Sequence, residues 1–383
     1  MQIVEFTGDS LRFLDAFPEA TTEGGFVWAF LDRADLPREQ PALQAAAQRL
    51  GGSPLLELHW NDLGSDVHPS HYDGTSVYDI VIFRRLASLA EVKRDSERDA
   101  AVSAYHGQGG TPWREHHPMP ESLRRINSRA VGFAVFDRLL ISVHPSGCAT
   151  ANTFLQRYLA DAKVAVEANG SRSRLPSSPA DLALRMINTM VDSYLDLRRE
   201  LSSYLEQLQA ELLKPNPRFV AWGQLMDARR QLALLEDLCE EQQDAMQEWI
   251  DTLRELPLAG LAGDPRQANA RRDALVVRAR DVQEHIDRVI HHARRLEQAA
   301  ETAVQIHFSA QGHRTNDIMR TLTAVTAVFL PLNLFTGFFG MNFEHLPLIH
   351  SSAGMWFTFG AMVLLVVVVV AVFLRKRYID RSR

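Results

Sequence analysis

The chain has 383 residues, a formal net charge of -6 and two cysteines. This length allows two or three structural units, and the interleaving of basic with acidic residues argues against a nucleic-acid partner. Cys148 and Cys239 are far apart, so neither a disulfide framework nor a cysteine zinc site is indicated, and a reducing compartment fits. Between Thr321 and Leu374 the only formally charged side chain is Glu344. This part of the chain is therefore predicted to lie in a membrane.

Residues 1–165 are predicted to form a cytoplasmic α/β domain. The start of the sequence has neither a basic region nor an apolar run that would direct export. Strands are predicted over Gly25–Leu31 and Ser76–Phe83, and a hairpin over Val131–Val143 that turns at Asp137-Arg138. Residues 94–127 are rich in Gly, Pro and His without a sustained period, so the middle of this stretch is predicted to be a partly disordered surface insertion.

Residues 178–320 are predicted to form a cytoplasmic stalk of long helices. The first begins at Ser178-Pro179 and continues to Leu213, where two prolines follow, and the second spans about 218–256. From Pro265 nothing interrupts the pattern until Pro331. Roughly 65 to 75 helical residues at ~1.5 Å each would give a rod on the order of 100 Å.

Two uncharged stretches of membrane-spanning length follow, 321–339 and 355–374, joined by an external loop at 340–354. Arg314 and Arg320 precede the first span, the tail 375–383 is basic, and the loop contains neither Lys nor Arg. Both termini are therefore expected on the cytoplasmic side of the inner membrane.

The first span carries small and polar residues along one side, whereas the second is apolar all round. Alternate steps of three and four residues define this polar seam as Asn316, Met319, Thr323, Thr326, Leu330, Asn333, Gly337 and Gly340. Two helices cannot enclose water, and polar groups that face lipid are energetically costly. One interpretation is therefore that several copies of the first span surround a water-filled pore. The other is that these residues join helices through hydrogen bonds without conducting anything.

The first span leads into Gly340-Met341-Asn342. In this context the sequence resembles the CorA family of divalent cation transporters, including its ZntB branch. The resemblance rests on a series of features in order: a long helix, a span containing Pro331, this tripeptide, a short loop, a second span and a basic tail. The resemblance is specific over 316–378, weaker from residue 178, and only architectural before that.

The resemblance implies a funnel-shaped homopentamer in the lipid bilayer, built from an α+β cytoplasmic domain, a long α-helical stalk and two transmembrane helices. In such an assembly Asn342 and the Gly340 carbonyl would hold a hydrated cation at the outer mouth, and Asn333 would contact it next. Leu330 and Met319 would form apolar constrictions, with Asn316 at the cytoplasmic exit. Asn316 also fits an ordinary solvated residue at a membrane boundary.

The identity of the transported ion is left open between Zn²⁺ and Mg²⁺ or Co²⁺. In the loop only Glu344 is acidic, while His345 and His350 would suit Zn²⁺, although both histidines also fit ordinary polar loop positions. Proton coupling is associated with the ZntB branch. The stalk histidines are further candidates for metal or proton binding: His285, His291, His292, His307 and His313.

No enzymatic activity and no cofactor are predicted, because the sequence lacks the common nucleotide-binding, metalloprotease and hydrolase motifs. The predicted function is transport of a divalent metal cation through a pore lined by the first span. The alternative is a membrane-anchored coiled-coil scaffold or receptor without transport activity.

Overall fold

The computed structural model describes residues 1–7, 10–22, 24–106, 119–146, 151, 153–156, 158–159, 175–212, 214, 219–255, 265–341 and 352–375. The chain divides into two compact units, Met1–Glu301 and Thr302–Arg383. The first contains a sheet and most of the long helices, and the second contains the two predicted spans.

A seven-stranded sheet in the order β2-β1-β3-β7-β6-β5-β4 organises the first unit. Only the pairing of β3 with β7 is parallel; the other neighbours are antiparallel. The strands are β1 (Gln2–Thr7), β2 (Ser10–Leu14), β3 (Phe26–Asp32), β4 (His71–Gly74), β5 (Tyr78–Arg85), β6 (Arg129–Phe136) and β7 (Leu139–His144). The predicted hairpin is confirmed, because β6 and β7 flank Asp137-Arg138 and pair antiparallel.

Helices cover both faces of this sheet. On one side, α1 (Leu36–Ala46) and α2 (Glu57–Gly64) share an apolar cluster with Val27, Ala29 and Leu31 of β3. The alternate residues of β3 point to the other side, as strand geometry requires. There the Trp28 indole donates a hydrogen bond of 2.9 Å to the Ser142 hydroxyl, and the helix α5 (Pro179–Leu212) contacts the central strands.

Helices flank the segment predicted to be an irregular insertion. α3 (Leu89–His106) and α4 (Glu121–Arg124) account for both of its ends. α3 begins with a capping box: the backbone N–H of Ser88 donates to the Glu91 carboxylate at 2.8 Å, and the N–H of Glu91 donates to the Ser88 hydroxyl at 3.3 Å. The middle of the segment, 107–118, lies outside the described residues, so the predicted surface insertion there stays a prediction.

The predicted long helices are confirmed to within a few residues. α5 is followed by α6 (Phe219–Glu255), by the 75-residue helix α7 (Pro265–Phe339), and by α8 (Ser352–Arg375). Within the first unit, buried Ile286 and Ala293 lie on the early part of α7. The Gln209 side chain of α5 donates to the Ala299 carbonyl of α7 at 3.1 Å, so apolar burial and polar contacts both join the stalk helices.

Candidate functional site

The second unit contains the C-terminal part of α7 and the whole of α8. Among the described residues, two helical stretches are long and apolar enough to cross a membrane, Ala268–Phe339 and Trp356–Phe373. The first contains the predicted span 321–339, and the second lies within the predicted span 355–374. Large apolar side chains are exposed on both, among them Leu322, Phe329, Leu334, Trp356 and Leu364. An exposed apolar surface of this extent is expected where a helix meets lipid.

Each of the two helices has one half-buried stripe at helical spacing. On α7 the stripe is Ala324, Val328, Pro331, Phe335 and Phe339, and on α8 it is Ala361, Met362, Leu365, Val366 and Val369. Residues three and four apart share a helix face, so each stripe is one face of its helix that the rest of the chain partly covers. The rest of the first span is left for other neighbours.

The polar seam lies away from the stripe that α7 buries within the chain. Its residues from Asn316 to Gly340 are all exposed, and they are offset from the half-buried stripe by one to two positions, which is roughly 100° to 200° around a helix. Met319 is 62% exposed and Leu330 is 65% exposed. Within the part of the chain that the structure describes, nothing covers this side of the first span, which contains an asparagine and two threonines.

Hydrogen bonding within α7 fixes the direction of the two seam threonines. The hydroxyl of Thr323 donates to the Met319 carbonyl at 2.7 Å, and that of Thr326 donates to the Leu322 carbonyl at 2.9 Å. A hydroxyl that donates its only hydrogen keeps its oxygen lone pairs as acceptors. The seam thus presents oxygen acceptors, which suit water or the hydration shell of a cation.

Gly340 ends α7 through a close backbone contact. Its N–H donates to the Thr336 carbonyl at 2.9 Å, and a Cβ at this position would lie 2.8 Å from that same oxygen. A side chain at position 340 would therefore force the helix end apart, which gives a physical reason for glycine there. Met341 follows and is 48% exposed.

The other predicted loop ligands lie outside the described residues. Asn342, Glu344, His345 and His350 fall in 342–351, so their proposed roles stay predictions.

The structure accounts for two of the stalk histidines by contacts with α5. His285 Nδ1 lies 3.0 Å from Asp192 Oδ1, and His292 Nε2 lies 3.4 Å from the Ser202 hydroxyl. His291 and His313 are exposed. Within the described part of the chain, no group of three metal-ligating side chains includes a stalk histidine.

Comparison with known protein families decides what this architecture belongs to. The family described as CorA-like Mg2+ transporter protein matches residues 114–377, which includes the long helices, the seam and both spans. The chain belongs to this family. The resemblance inferred from Gly340-Met341-Asn342 and its context is confirmed.

Curated relatives match over part of their length. The cobalt/magnesium transport protein CorA of Thermotoga maritima is 25% identical over 199 residues, which are 52% of this chain and 52% of the relative. Its namesake in Methanocaldococcus jannaschii is 36% identical over 76 residues, 20% of this chain and 24% of the relative. The chain thus aligns with about half the length of the first relative and less of the second.

Solved structures share the fold over nearly the whole chain. The complete CorA magnesium transporter from Methanocaldococcus jannaschii has a TM-score of 0.66 at 15% identity, with 98% of both chains covered. The full-length CmaX protein gives 0.57 at 17% identity, covering 98% of this chain and 97% of the other. The ZntB cytoplasmic domain from Vibrio parahaemolyticus gives 0.52 at 12% identity, covering 82% and 98%. The predicted fold class, an α+β domain followed by long helices and two spans, is confirmed.

Proposed function

We propose that this protein transports a divalent metal cation across the inner membrane as a homopentamer whose first span lines the pore. Membership of the CorA-like family supports cation transport in general. The observation that carries the pore is the exposed polar seam of α7, which lies away from the side packed within the chain. The N- and C-termini are on the cytoplasmic side in this proposal, because the basic residues flank the spans rather than the loop.

The pore follows from the cost of leaving the seam uncovered. An exposed Asn333 in hydrocarbon would lose hydrogen bonds that water supplies, and each unsatisfied polar group costs several kcal/mol. Since the half-buried side of α7 is another one, the proposed cover of the seam is the same seam of other copies, with water between them. Five copies are proposed from the resemblance to the family.

The chemistry of the seam suits a hydrated cation. Amide, hydroxyl and carbonyl oxygens can bind the waters of Mg²⁺ without removing them, which is favourable because Mg²⁺ loses its waters reluctantly. In this proposal Asn342, the Gly340 carbonyl and Asn333 contact the cation in turn, and Leu330 and Met319 form constrictions that can gate by excluding water. Asn316 lines the cytoplasmic exit.

Two observations favour different ions. The curated relatives carry cobalt and magnesium in their names, which favours Mg²⁺ or Co²⁺ as substrate. The loop sequence contains His345 and His350 beside a single Glu344, which favours a borderline-soft ion such as Zn²⁺. Uptake of any of these dications is downhill, since moving two charges across 100 mV is worth about 4.6 kcal/mol.

Flux into liposomes tests the proposal. Purified full-length protein is reconstituted, and entry of Mg²⁺, Co²⁺ and Zn²⁺ is followed with and without a membrane potential and with and without a pH gradient. We expect voltage-driven entry of at least one dication, and a reduced rate in Asn342→Ala. Zn²⁺ entry that follows the pH gradient would select the proton-coupled, ZntB-like form of the proposal.

The assembly is measured on the same preparation. Native mass determination in detergent should give five chains per particle for both wild type and Asn342→Ala. A lower flux in the variant then reflects weaker cation binding at the outer mouth of the pore and not loss of assembly. Absence of flux for all three ions from intact pentamers would refute transport and favour the membrane-anchored scaffold.

A further inference from the structure

A second group of metal-ligating side chains lies in the first unit, far along the chain from the seam. Asp62 of α2 and His68 and His71 at the entry to β4 are half-buried, and their nearest ligand atoms all lie within 4.8 Å of one another. The His68 and His71 rings are 4.5 Å apart between centroids, and His68 Nε2 is 3.5 Å from Asp62 Oδ1. None of these three residues belongs to a sequence motif for metal binding.

Hydrogen bonding suggests which nitrogen of His68 is free. Its Nδ1 lies 2.9 Å from the Pro69 carbonyl oxygen, which can only accept, so Nδ1 carries the hydrogen. In a neutral ring the lone pair is then on Nε2 and is directed toward the Asp62 carboxylate. The Nε2 atom and the Asp62 carboxylate oxygen are 3.5 Å apart, so both could bind one ion placed between them. A donation from the second ring nitrogen to a carbonyl is also the usual arrangement of a metal-bound histidine.

His71 contributes a second unoccupied nitrogen. Its Nδ1 is buried and has no hydrogen-bond partner among the described residues. A buried ring nitrogen without a hydrogen-bond partner is one that a metal ion could use. Glu248 and Asp73 are close enough to act on His71 electrostatically and would favour a cation beside it.

We propose that Asp62, His68 and His71 bind one borderline-soft divalent cation, of which Zn²⁺ is the type. Two ligand atoms at about 2.1 Å from a tetrahedral ion are separated by about 3.4 Å, close to the 3.5 Å between His68 Nε2 and Asp62 Oδ1. Two imidazoles and one carboxylate select Zn²⁺ or Co²⁺ over Mg²⁺, which prefers oxygen ligands alone. Water would complete the fourth position.

The connection between α2 and β4 is held in place by groups outside the ligand set. The Arg84 guanidinium donates to the carbonyls of Asp66 and His68 at 2.9 Å and 2.8 Å. The backbone N–H of Ser70 donates to the Glu241 carboxylate of α6 at 3.2 Å. A supported loop loses little freedom when its side chains close on an ion, which favours binding.

Equilibrium binding of Zn²⁺ to the full-length protein in detergent tests this site. The protein is first stripped with a chelator, then dialysed against buffered Zn²⁺ with excess Mg²⁺, and the bound zinc per chain is measured. We expect His68→Gln and His71→Gln each to bind one ion per chain fewer than wild type. His291→Gln, the same substitution at an exposed histidine of the first unit, should bind as wild type does.

Wild-type protein alone supplies a second measurement, which remains informative if a variant folds poorly. Co²⁺ at the site should give the visible absorption of a four-coordinate ion with nitrogen ligands, and Zn²⁺ should abolish it while Mg²⁺ should not. Unchanged zinc stoichiometry in both well-folded histidine variants would overturn the proposal, as would displacement by Mg²⁺ or the absence of the four-coordinate Co²⁺ spectrum. In that case His68 and Asp62 form an ordinary ion pair. Binding is measured without flux, so failure of this site and failure of the proposed transport are distinguishable.

Discussion

His285 of α7 and Asp192 of α5 are 93 positions apart in sequence and meet at 3.0 Å, Nδ1 to Oδ1. The other ring nitrogen of His285 lies 3.9 Å from Asp281 Oδ1, one turn back on its own helix. The imidazole is therefore placed between two carboxylates of the same chain. This arrangement joins two stalk helices and explains a histidine in the stalk without a transported metal.

We expect His285→Gln to leave cation flux unchanged. The Gln amide can still donate to Asp192, whose side chain is 45% exposed, so the loss of stability should stay within about 1 kcal/mol. Liposome flux and the thermal midpoint of the purified protein in detergent are the two measurements. A severalfold loss of flux from an intact pentamer would instead assign the stalk histidine to the transport path.

The buried ion pair between Arg85 and Glu91 predicts a large loss of stability on neutralisation. The guanidinium donates to the carboxylate at 2.9 Å and 2.7 Å, and both side chains are almost fully buried. Although burial favours the neutral acid, Arg85 and Ser88 together lower the pKa of Glu91 to about 2. Glu91→Gln should therefore cost about 3 kcal/mol, because it leaves a buried guanidinium without its counter-charge.

Thermal denaturation at neutral pH measures this cost, with Glu97→Gln at an exposed position of the same helix as the control. Stability from the Glu91 carboxylate is present above its unfolded pKa near 4.3 and is lost as pH falls toward about 2. The difference between wild type and Glu91→Gln should accordingly shrink in acid. A midpoint equal to that of Glu97→Gln at neutral pH would show that the pair contributes nothing.

The helices were predicted well because their signals are local. For α5, an apolar stripe follows Ser178-Pro179 and ends at Lys214-Pro215, and the observed bounds, Pro179–Leu212, differ by one residue at each end. α3 was missed although its capping box is visible as Ser88-Leu89-Ala90-Glu91, because the irregular composition after it outweighed that signal.

What the sequence could not supply is long-range pairing. The only parallel pair of the sheet places Val27 beside Leu139, more than a hundred residues away, and no local pattern reports such a register. The group of Asp62, His68 and His71 was missed for another reason: the three residues are close in sequence but match no metal-binding motif, and a turn between α2 and β4 brings the carboxylate to the imidazoles. The seam was visible because helical spacing alone defines it, whereas its cover by other copies is part of the proposed function.

Burial of Asp79 on β5 predicts a stability that falls as pH rises. The pKa of the Asp79 carboxyl is raised to about 6, chiefly by burial. The hydrogen bond that the Tyr72 hydroxyl donates at 2.9 Å acts against this rise in pKa, and the charge of Asp137 adds to it. The folded state then holds its proton up to a higher pH than the unfolded chain, whose carboxyl titrates near 3.9. Between about pH 4 and 6 the folded state is therefore progressively destabilised relative to the unfolded state, by up to about 3 kcal/mol.

Asp79→Asn should remove this penalty, because the amide oxygen still accepts from Tyr72 and carries no charge. We expect the variant to be more stable than wild type at pH 8 and closer to it at pH 5, as measured by the thermal midpoint at both values. Asp15→Asn, at an exposed position, should shift neither midpoint appreciably. A variant less stable than wild type at pH 8 would mean that the charged carboxylate is favourable in the folded state.

Two threonines of α7 offer a matched test of the seam. Thr323 lies in it, and Thr321 lies two positions away, which is about 200° around the helix. Both hydroxyls donate to the carbonyl four residues earlier, at 2.7 Å for Thr323 and 2.9 Å for Thr321, so Thr→Val removes the same internal hydrogen bond at either position. The two substitutions differ only in which side of the helix loses an oxygen.

We expect Thr323→Val to reduce flux by about fivefold, because it removes one contact of about 1 kcal/mol with water or a hydrated cation. Thr321→Val should leave the flux unchanged. Asn333→Leu should impair conduction further while the pentamer persists. If the seam only joined helices, all three variants would conduct normally or would fall apart into smaller particles. The two threonine substitutions remove the same internal hydrogen bond and differ in the side of the helix that they alter. Equal flux in both variants, from particles of wild-type mass, would therefore show that the seam does not line the ion path.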